Sequence, residues 1–105
     1  MRQACCAPEK FPATGNPEDD FGLICKALGH PARVKIVCML IEKGTCISGD
    51  LANEFDLAPS TVSEHLRILK EATLVQGSID GPKRCYCVNP ATLKYWRGLM
   101  RDLGI

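Results

Sequence analysis

Apolar residues recur along this chain at helical spacing, in stripes separated by short breaks. Phe21, Ile24, Cys25 and Leu28 stand at i, i+3, i+4 and i+7, which predicts a helix over about 18–28. Gly29 is placed to stop it and Pro31 to open a second helix, which reaches about residue 42 with Val34, Val37, Cys38 and Ile41 at the same spacing before Lys43-Gly44. Residues 45–48 read as a loop, and a short third helix carries Leu51, Ala52 and Phe55 on one face. The turn Asp56-Leu57-Ala58-Pro59 leads into a fourth helix over 60–72, with Val62, Leu66 and Leu69 inward. Residues 74–79 and 84–88 then read as two short strands joined by Asp80-Gly81-Pro82-Lys83, a hairpin. Pro90 opens a fifth helix holding Leu93, Trp96, Leu99, Met100 and Leu103. Pro8, Pro12, Gly15 and Pro17 interrupt the start of the chain, where no apolar period exists. Residues 1–18 are therefore expected to be a flexible arm, and 19–105 one folded domain.

A short helix, a tight turn and a second helix with a polar outer side form a helix-turn-helix, and a hairpin directly after it is a wing. The predicted fold is mainly α, a winged helix-turn-helix: four helices, a β-hairpin and a fifth helix. A chain of 105 residues has room for one core, and its 46% apolar content is ordinary for a folded protein. No apolar run approaches the roughly 18 residues of a membrane span, and the first residues lack the apolar stretch of a secretory signal. The expected location is cytoplasmic, with no membrane partner.

Charge changes the picture little in sum, +1, and more in distribution. Residues 73–105 hold five Lys or Arg against two acids, with Lys83 and Arg84 together at the hairpin. A near-neutral protein binds DNA when its few cations meet phosphates. In the fourth helix Ser60, Ser63, Arg67 and Lys70 lie along one side, with Thr61 beside them at the helix start. Small hydroxyls permit close approach to the major groove, and an arginine reaches guanine edges or phosphate. Thr61 and Glu64 have capping-box spacing. His65 borders the apolar stripe and reads as a packed, hydrogen-bonded histidine. Lys83 and Arg84 are either backbone or minor-groove contacts or a solvated turn.

The stretches KALGHPARVKIVCMLI, DLANEFDLAPSTVSEHLRILKEATLV and RCYCVNP resemble the ArsR/SmtB family of winged-helix metalloregulators. The resemblance covers most of residues 22–90 and implies a transcriptional repressor. Such a repressor is a homodimer through its first and last helices, binds double-stranded operator DNA and is released by an ion. One familiar metal site of the family needs Cys-Val-Cys-Asp where this chain has Ile47-Ser48-Gly49-Asp50, so that site is lost. A zinc site on the last helix needs His and carboxylates, and that helix has no His and only Asp102. An arsenic-responsive branch carries an adjacent Cys pair on an N-terminal arm and one Cys before the third helix. Cys5, Cys6 and Cys46 occupy those places.

The expected inducer is As(III) or Sb(III), soft ions that take three thiolates, and no organic cofactor is expected. Seven cysteines without an export signal read as reduced thiols. Cys25 and Cys38 lie in helical stripes and read as core or dimer interface. Cys85 and Cys87, two apart on a strand, either chelate as weaker metal candidates or fill space behind the wing with Tyr86 outward. A thiol redox sensor and a Cd(II) or Pb(II) sensor are the nearest alternatives. A small thiol oxidoreductase is the enzyme alternative, but no Cys-x-x-Cys opens a helix to lower a thiol pKa. The chain therefore reads as a non-enzyme.

Overall fold

The computed structural model describes residues 8–43, 47–48, 57–78 and 85–105. Within them the order is α1 (Pro17–Leu28), α2 (Pro31–Lys43), β1 (Ile47–Ser48), α3 (Pro59–Glu71), β2 (Val75–Ser78), β3 (Cys85–Val88) and α4 (Pro90–Asp102). The predicted third helix, over Leu51, Ala52 and Phe55, lies outside the described residues, as does the tip of the hairpin. Among the described residues no helix is long and apolar enough to cross a membrane.

Each helix opens on a proline, whose fixed φ suits the first turn and whose missing N–H is not needed there. Asn16 caps α1 by accepting the Asp19 N–H at 2.9 Å, and Asn89 caps α4 by accepting the Ala91 N–H at 3.1 Å. Glu18, Asp19 and Asp20 place negative charge on the first turn of α1, where the helix dipole favours it. The expected capping box of α3 does not form. Pro59 starts that helix early, Ala58 is its N-cap with no side-chain bond, and Thr61 falls inside the first turn.

The core face of α2 also differs from expectation. Ile36, Val37 and Leu40 are buried, while Val34 and Ile41 are each 43% exposed and Cys38 is exposed. The apolar stripe 34/37/38/41 competes with 36/37/40, one residue or about 100° around the helix. Arg33 selects the second. Its Nε donates to the Ala27 carbonyl at 2.6 Å, which holds the residue 33 side of α2 against α1.

The strands form a three-stranded antiparallel sheet in the order β1-β3-β2, one strand more than the expected hairpin. Ile47 pairs with Tyr86 and Ser48 with Cys85, while Val75, Gln76, Gly77 and Ser78 pair with Val88, Cys87, Tyr86 and Cys85. Tyr86 does not point outward: it is 1% exposed and belongs to the core with Ile24, Ile36, Leu40, Leu69, Leu74 and Val75. An aromatic at the centre of β3 buries far more area than the thiols beside it, so the core takes the Tyr86 side.

Of the arm, residues 8–16 are described, and they are held against the body. Phe11 is buried, its ring 5.2 Å from that of Tyr95. The Glu9 N–H donates to Gln76 Oε1 at 3.3 Å, and Asn89 Nδ2 donates to the Glu9 carbonyl at 2.7 Å. Asp20, buried at the start of α1, accepts the Tyr95 hydroxyl at 2.6 Å and the Thr14 hydroxyl at 2.8 Å. These bonds hold its carboxyl below the usual carboxylate range, the Tyr95 bond most, and the same bond raises the Tyr95 phenol.

Candidate nucleic-acid interface and the neighbouring thiols

Helix α3 sorts its residues by side. Val62, His65, Leu66 and Leu69 are buried, while Ser60, Thr61, Arg67 and Lys70 are exposed and Ser63 is half-buried. The helix start is therefore open and lined with small hydroxyls, as close approach to base edges requires. Arg67 Nη1 donates to Glu64 Oε1 at 2.8 Å, a pair exposed on both sides. A surface pair of this kind contributes only about 0.2–1 kcal/mol, so the guanidinium can exchange it for a stronger acceptor. Lys70 has a different position: its ammonium donates to the Gly77 carbonyl at 2.5 Å and ties the end of α3 to β2.

The inner side of α3 is fixed by a polar contact at His65. Its ring lies 4.6 Å from that of His30, and Arg33 Nη1 lies 3.3 Å from its Nδ1. Arginine only donates, so His65 Nδ1 accepts and the ring is neutral with its proton on Nε2. His30 Nδ1 in turn accepts the Ala32 N–H at 3.1 Å and so caps α2. Burial first, then the neighbouring His30 and Arg33, lower the His65 pKa, against a small opposite pull from Glu64. This contact orients α3 against α2.

The connection from α3 to the sheet is equally specific. Thr73 adopts φ 56°, and the Thr73 and Leu74 N–H groups bond the Lys70 and Leu69 carbonyls. That is a Schellman turn with threonine in the left-handed position usually held by glycine. The Thr73 hydroxyl lies 2.8 Å from that of Thr92, buried in α4. Gly77 has φ 115°, and a Cβ there would overlap the Cys85 carbonyl and the Tyr86 Cα. Sequence reading missed Gly77 and Thr73. A glycine inside a strand pattern is the signal that was present for the first, since it marks a close backbone approach.

Cys25 is half-buried and Cys38 exposed, and both are free, so neither is a core thiol. Cys85 is half-buried, Cys87 is buried, and each is disulfide-bonded. Among the described residues no three His, Cys, Asp or Glu side chains group as a metal site. Cys5, Cys6, Cys46, Lys83 and Arg84 lie outside the described residues.

Residues 30–76 match the arsR family of bacterial regulatory proteins. The chain is 32% identical over 71 residues to the transcriptional repressor SdpR of Bacillus subtilis, covering 68% of this chain and 78% of that protein. It is 36% identical over 78 residues to the HTH-type transcriptional repressor SmtB of Mycobacterium tuberculosis, covering 72% of this chain and 57% of that one. It is 33% identical over 65 residues to a biofilm growth-associated repressor of Agrobacterium fabrum, 62% of this chain and 55% of that protein. The chain thus spans little more than half the length of the last two.

Proposed function

This chain belongs to the arsR family of bacterial regulatory proteins, helix-turn-helix regulators of transcription, and on that premise we propose that it is a cytoplasmic, homodimeric repressor released from operator DNA by As(III) or Sb(III). The observation that carries the DNA part is the outward side of α3, where Ser60, Thr61, Ser63 and Arg67 stand clear of the core that buries Val62, Leu66 and Leu69. Helix α3 of each protomer enters the major groove of one half-site, and half-sites lie about 10 base pairs or a multiple apart. Arg67 leaves Glu64 for a base edge or a phosphate. Lys70 fixes α3 to the sheet and supports that position, and Lys83 and Arg84 contact the backbone beside it.

Cys5, Cys6 and Cys46 hold the ion. Arsenite, As(OH)3, exchanges its three hydroxyls for three cysteine sulfurs, the three thiol protons leaving with the hydroxyls as three waters, a reaction suited to soft three-coordinate As(III). The ion favours the DNA-free form. A coupling of about 1–3 kcal/mol lowers DNA affinity 5- to 150-fold. The relatives named as repressors and the arm held at Glu9 both support this reading.

The test is titration of the reduced protein, bound to its own promoter DNA, with arsenite. Binding without arsenite should be tight and weaken as salt rises. Arsenite should release the DNA, and Cys5→Ser, Cys6→Ser and Cys46→Ser should each bind DNA but resist release. Cys85→Ser and Cys87→Ser should still be released. Absence of salt-dependent DNA binding rejects the repressor reading, and release that survives the first three substitutions rejects the metalloid site.

A further inference from the structure

We propose that the cavity between residues 10–13 and α4 binds a small organic carboxylate with an apolar body, its charge at the Lys10 and Lys94 end. The cavity measures about 420 Å³, within the range of small-molecule sites. One wall is a single side of α4, where Ala91, Lys94, Tyr95, Gly98 and Asp102 repeat at i, i+3, i+4, i+7 and i+11. The other wall is the segment that leads into α1, and it is pinned at three points. The Glu9 carbonyl accepts Asn89 Nδ2 at 2.7 Å, the Phe11 ring lies 5.2 Å from that of Tyr95, and the Thr14 and Tyr95 hydroxyls share Asp20. Both walls stand before a ligand arrives, so binding does not have to order them. The hollow between them exists because Ala91 and Gly98 are small. A Cβ at Gly98 would meet only the end of Arg101, 3.9 Å away.

Charge divides the cavity along α4. Lys10 stands between Glu9, bonded at the helix start, and Phe11, packed on Tyr95. Chain connectivity therefore sets it beside the first half of α4, where Lys94 also lies. Both lysines are exposed, and among the described residues neither has a carboxylate partner, the ion pair there being Arg67 with Glu64. Asp102 lies eight residues beyond Lys94, about 12 Å along the helix. Between these ends the surface is apolar, with Phe11, Tyr95 and Leu99 around the hollow at Gly98. An anion with an apolar tail matches that order: the carboxylate meets the two ammonium groups, and the tail lies over Gly98 and Leu99 and stops short of Asp102. A cation of the same shape meets like charge at the lysines.

A second copy of α4 matches the hollow less well. A helix about 10 Å across fills roughly 420 Å³ in one turn of 5.4 Å. The cavity therefore takes a single turn, whereas ridges packed into grooves run over several.

The experiment titrates the full-length reduced protein with octanoate, octylamine and octanol by calorimetry, with the molecular mass in solution measured alongside. Octanoate should bind one per chain and raise the melting temperature. Octylamine, the same tail with the opposite charge, should bind on the order of tenfold more weakly. Lys10→Gln and Lys94→Gln should each weaken octanoate about two- to fivefold and leave octanol unchanged. Gly98→Leu, whose side chain extends into the hollow, should abolish octanoate binding with no loss of melting temperature. Absence of saturable octanoate binding, octylamine binding as tight as octanoate, or octanoate binding retained by Gly98→Leu overturns the assignment. So does a changed molecular mass in Gly98→Leu, which would make the hollow a contact between copies. Should Gly98→Leu fail to fold, the lysine variants decide alone: octanoate affinity unchanged in both, or octanol weakened equally, overturns it.

Discussion

Helices α3 and α4 are close in design and different in surroundings. Both have 13 residues, both open on proline, both separate an apolar side from a cationic one, and both end in the same doubly bonded turn. Yet α3 keeps one buried polar ring, His65, against α2, and sets Lys70 on β2. Helix α4 keeps Tyr95 on Asp20 of α1 and exposes Lys94, Arg97 and Arg101. Amphipathic pattern therefore tells which side of a helix is outside, not what the outside does. The neighbours decide that. Helix α3 is held by α2 on one side and the sheet on the other, with its hydroxyl-lined start left open, whereas the start of α4 is packed under the arm at Asn89 and Glu9.

The largest effect is expected where the sheet meets α3. Gly77→Ala forces a side chain into the Cys85 carbonyl at a φ that L residues avoid. Backbone strain of ~1–3 kcal/mol and overpacking of ~1–3 kcal/mol together cost about 2–6 kcal/mol. That approaches the whole stability of a small domain. Thermal unfolding should show a large loss, with DNA binding lost at the same temperature. A Gly77→Ala protein of unaltered melting temperature would show that β2 and β3 are not clamped together as described. Gly98→Ala on α4, where only the end of Arg101 is near, should be harmless.

Next comes the contrast between the two cationic faces. Arg67→Ala should weaken promoter binding by about 1–3 kcal/mol, 5- to 150-fold, while stability falls by no more than the about 0.2–1 kcal/mol of its surface pair with Glu64. Arg97→Ala on α4 should leave binding within about twofold. Equal losses at the two positions would mean general charge attraction, not a reading helix. A loss at Arg97 alone would exchange the roles of the two helices.

The two buried polar contacts separate by pH. His65 has a lowered pKa, so the unfolded chain takes its proton first as pH falls. The stability it contributes is present above its ordinary value of 6.5 and is lost as pH drops through the lower folded value. Asp20 is also lowered, so its contribution is present above its ordinary 3.8 and lost further into acid. Tyr95 is raised, so its contribution is present below its ordinary 10.0 and lost as pH rises through the folded value. Stability measured against pH should fall in two acid steps and one alkaline step. His65→Gln should remove the first acid step alone, and Tyr95→Phe the alkaline one. Persistence of the first step in His65→Gln would place that titration elsewhere.

Much of the fold was legible because periodicity, proline and glycine are local signals. The stripe Val62, Leu66, Leu69 located α3, and Gly29 and Pro31 located the joint between α1 and α2. What escaped depends on contacts between distant residues. Val34 and Ile36 are both apolar, and the Arg33 bond to Ala27 shows which of them faces the core. Tyr86 alternates with Cys85 and Cys87 on β3, and nothing local tells which side is the interior. The two-residue strand β1 has no pattern of its own and exists by pairing with β3. Glu9, Gln76 and Asn89, which anchor the arm, are far apart in sequence. The polar side of α3 was readable in advance, because it follows from periodicity within one helix.

The smallest expected effect tests the likeness of the two helix ends. Gly104, at φ 79°, closes α4 with its N–H on Arg101 and that of Ile105 on Met100, the arrangement in which Thr73 closes α3. A Cβ at Gly104 meets nothing, so Gly104→Ala costs only the left-handed conformation, about 1–2 kcal/mol. At Thr73 the same cost of about 1–2 kcal/mol is already present. Thr73→Gly relieves it, but loses the Thr92 hydrogen bond, about 0.5–1.5 kcal/mol, and adds chain entropy to the unfolded state, about 0.5–1 kcal/mol. The opposing quantities cancel, and Thr73→Gly should change stability by less than about 1 kcal/mol. With the bond first removed by Thr92→Val, Thr73→Gly should instead stabilise by about 0.5–1 kcal/mol, because strain is then relieved without a bond to lose. A cost above about 1.5 kcal/mol in both backgrounds would mean that the Thr73 methyl packs into the joint. The two ends would then share hydrogen bonds but not energetics. A sign change between backgrounds would show that the hydroxyl pair compensates the strain of the turn carrying the chain from α3 into the sheet.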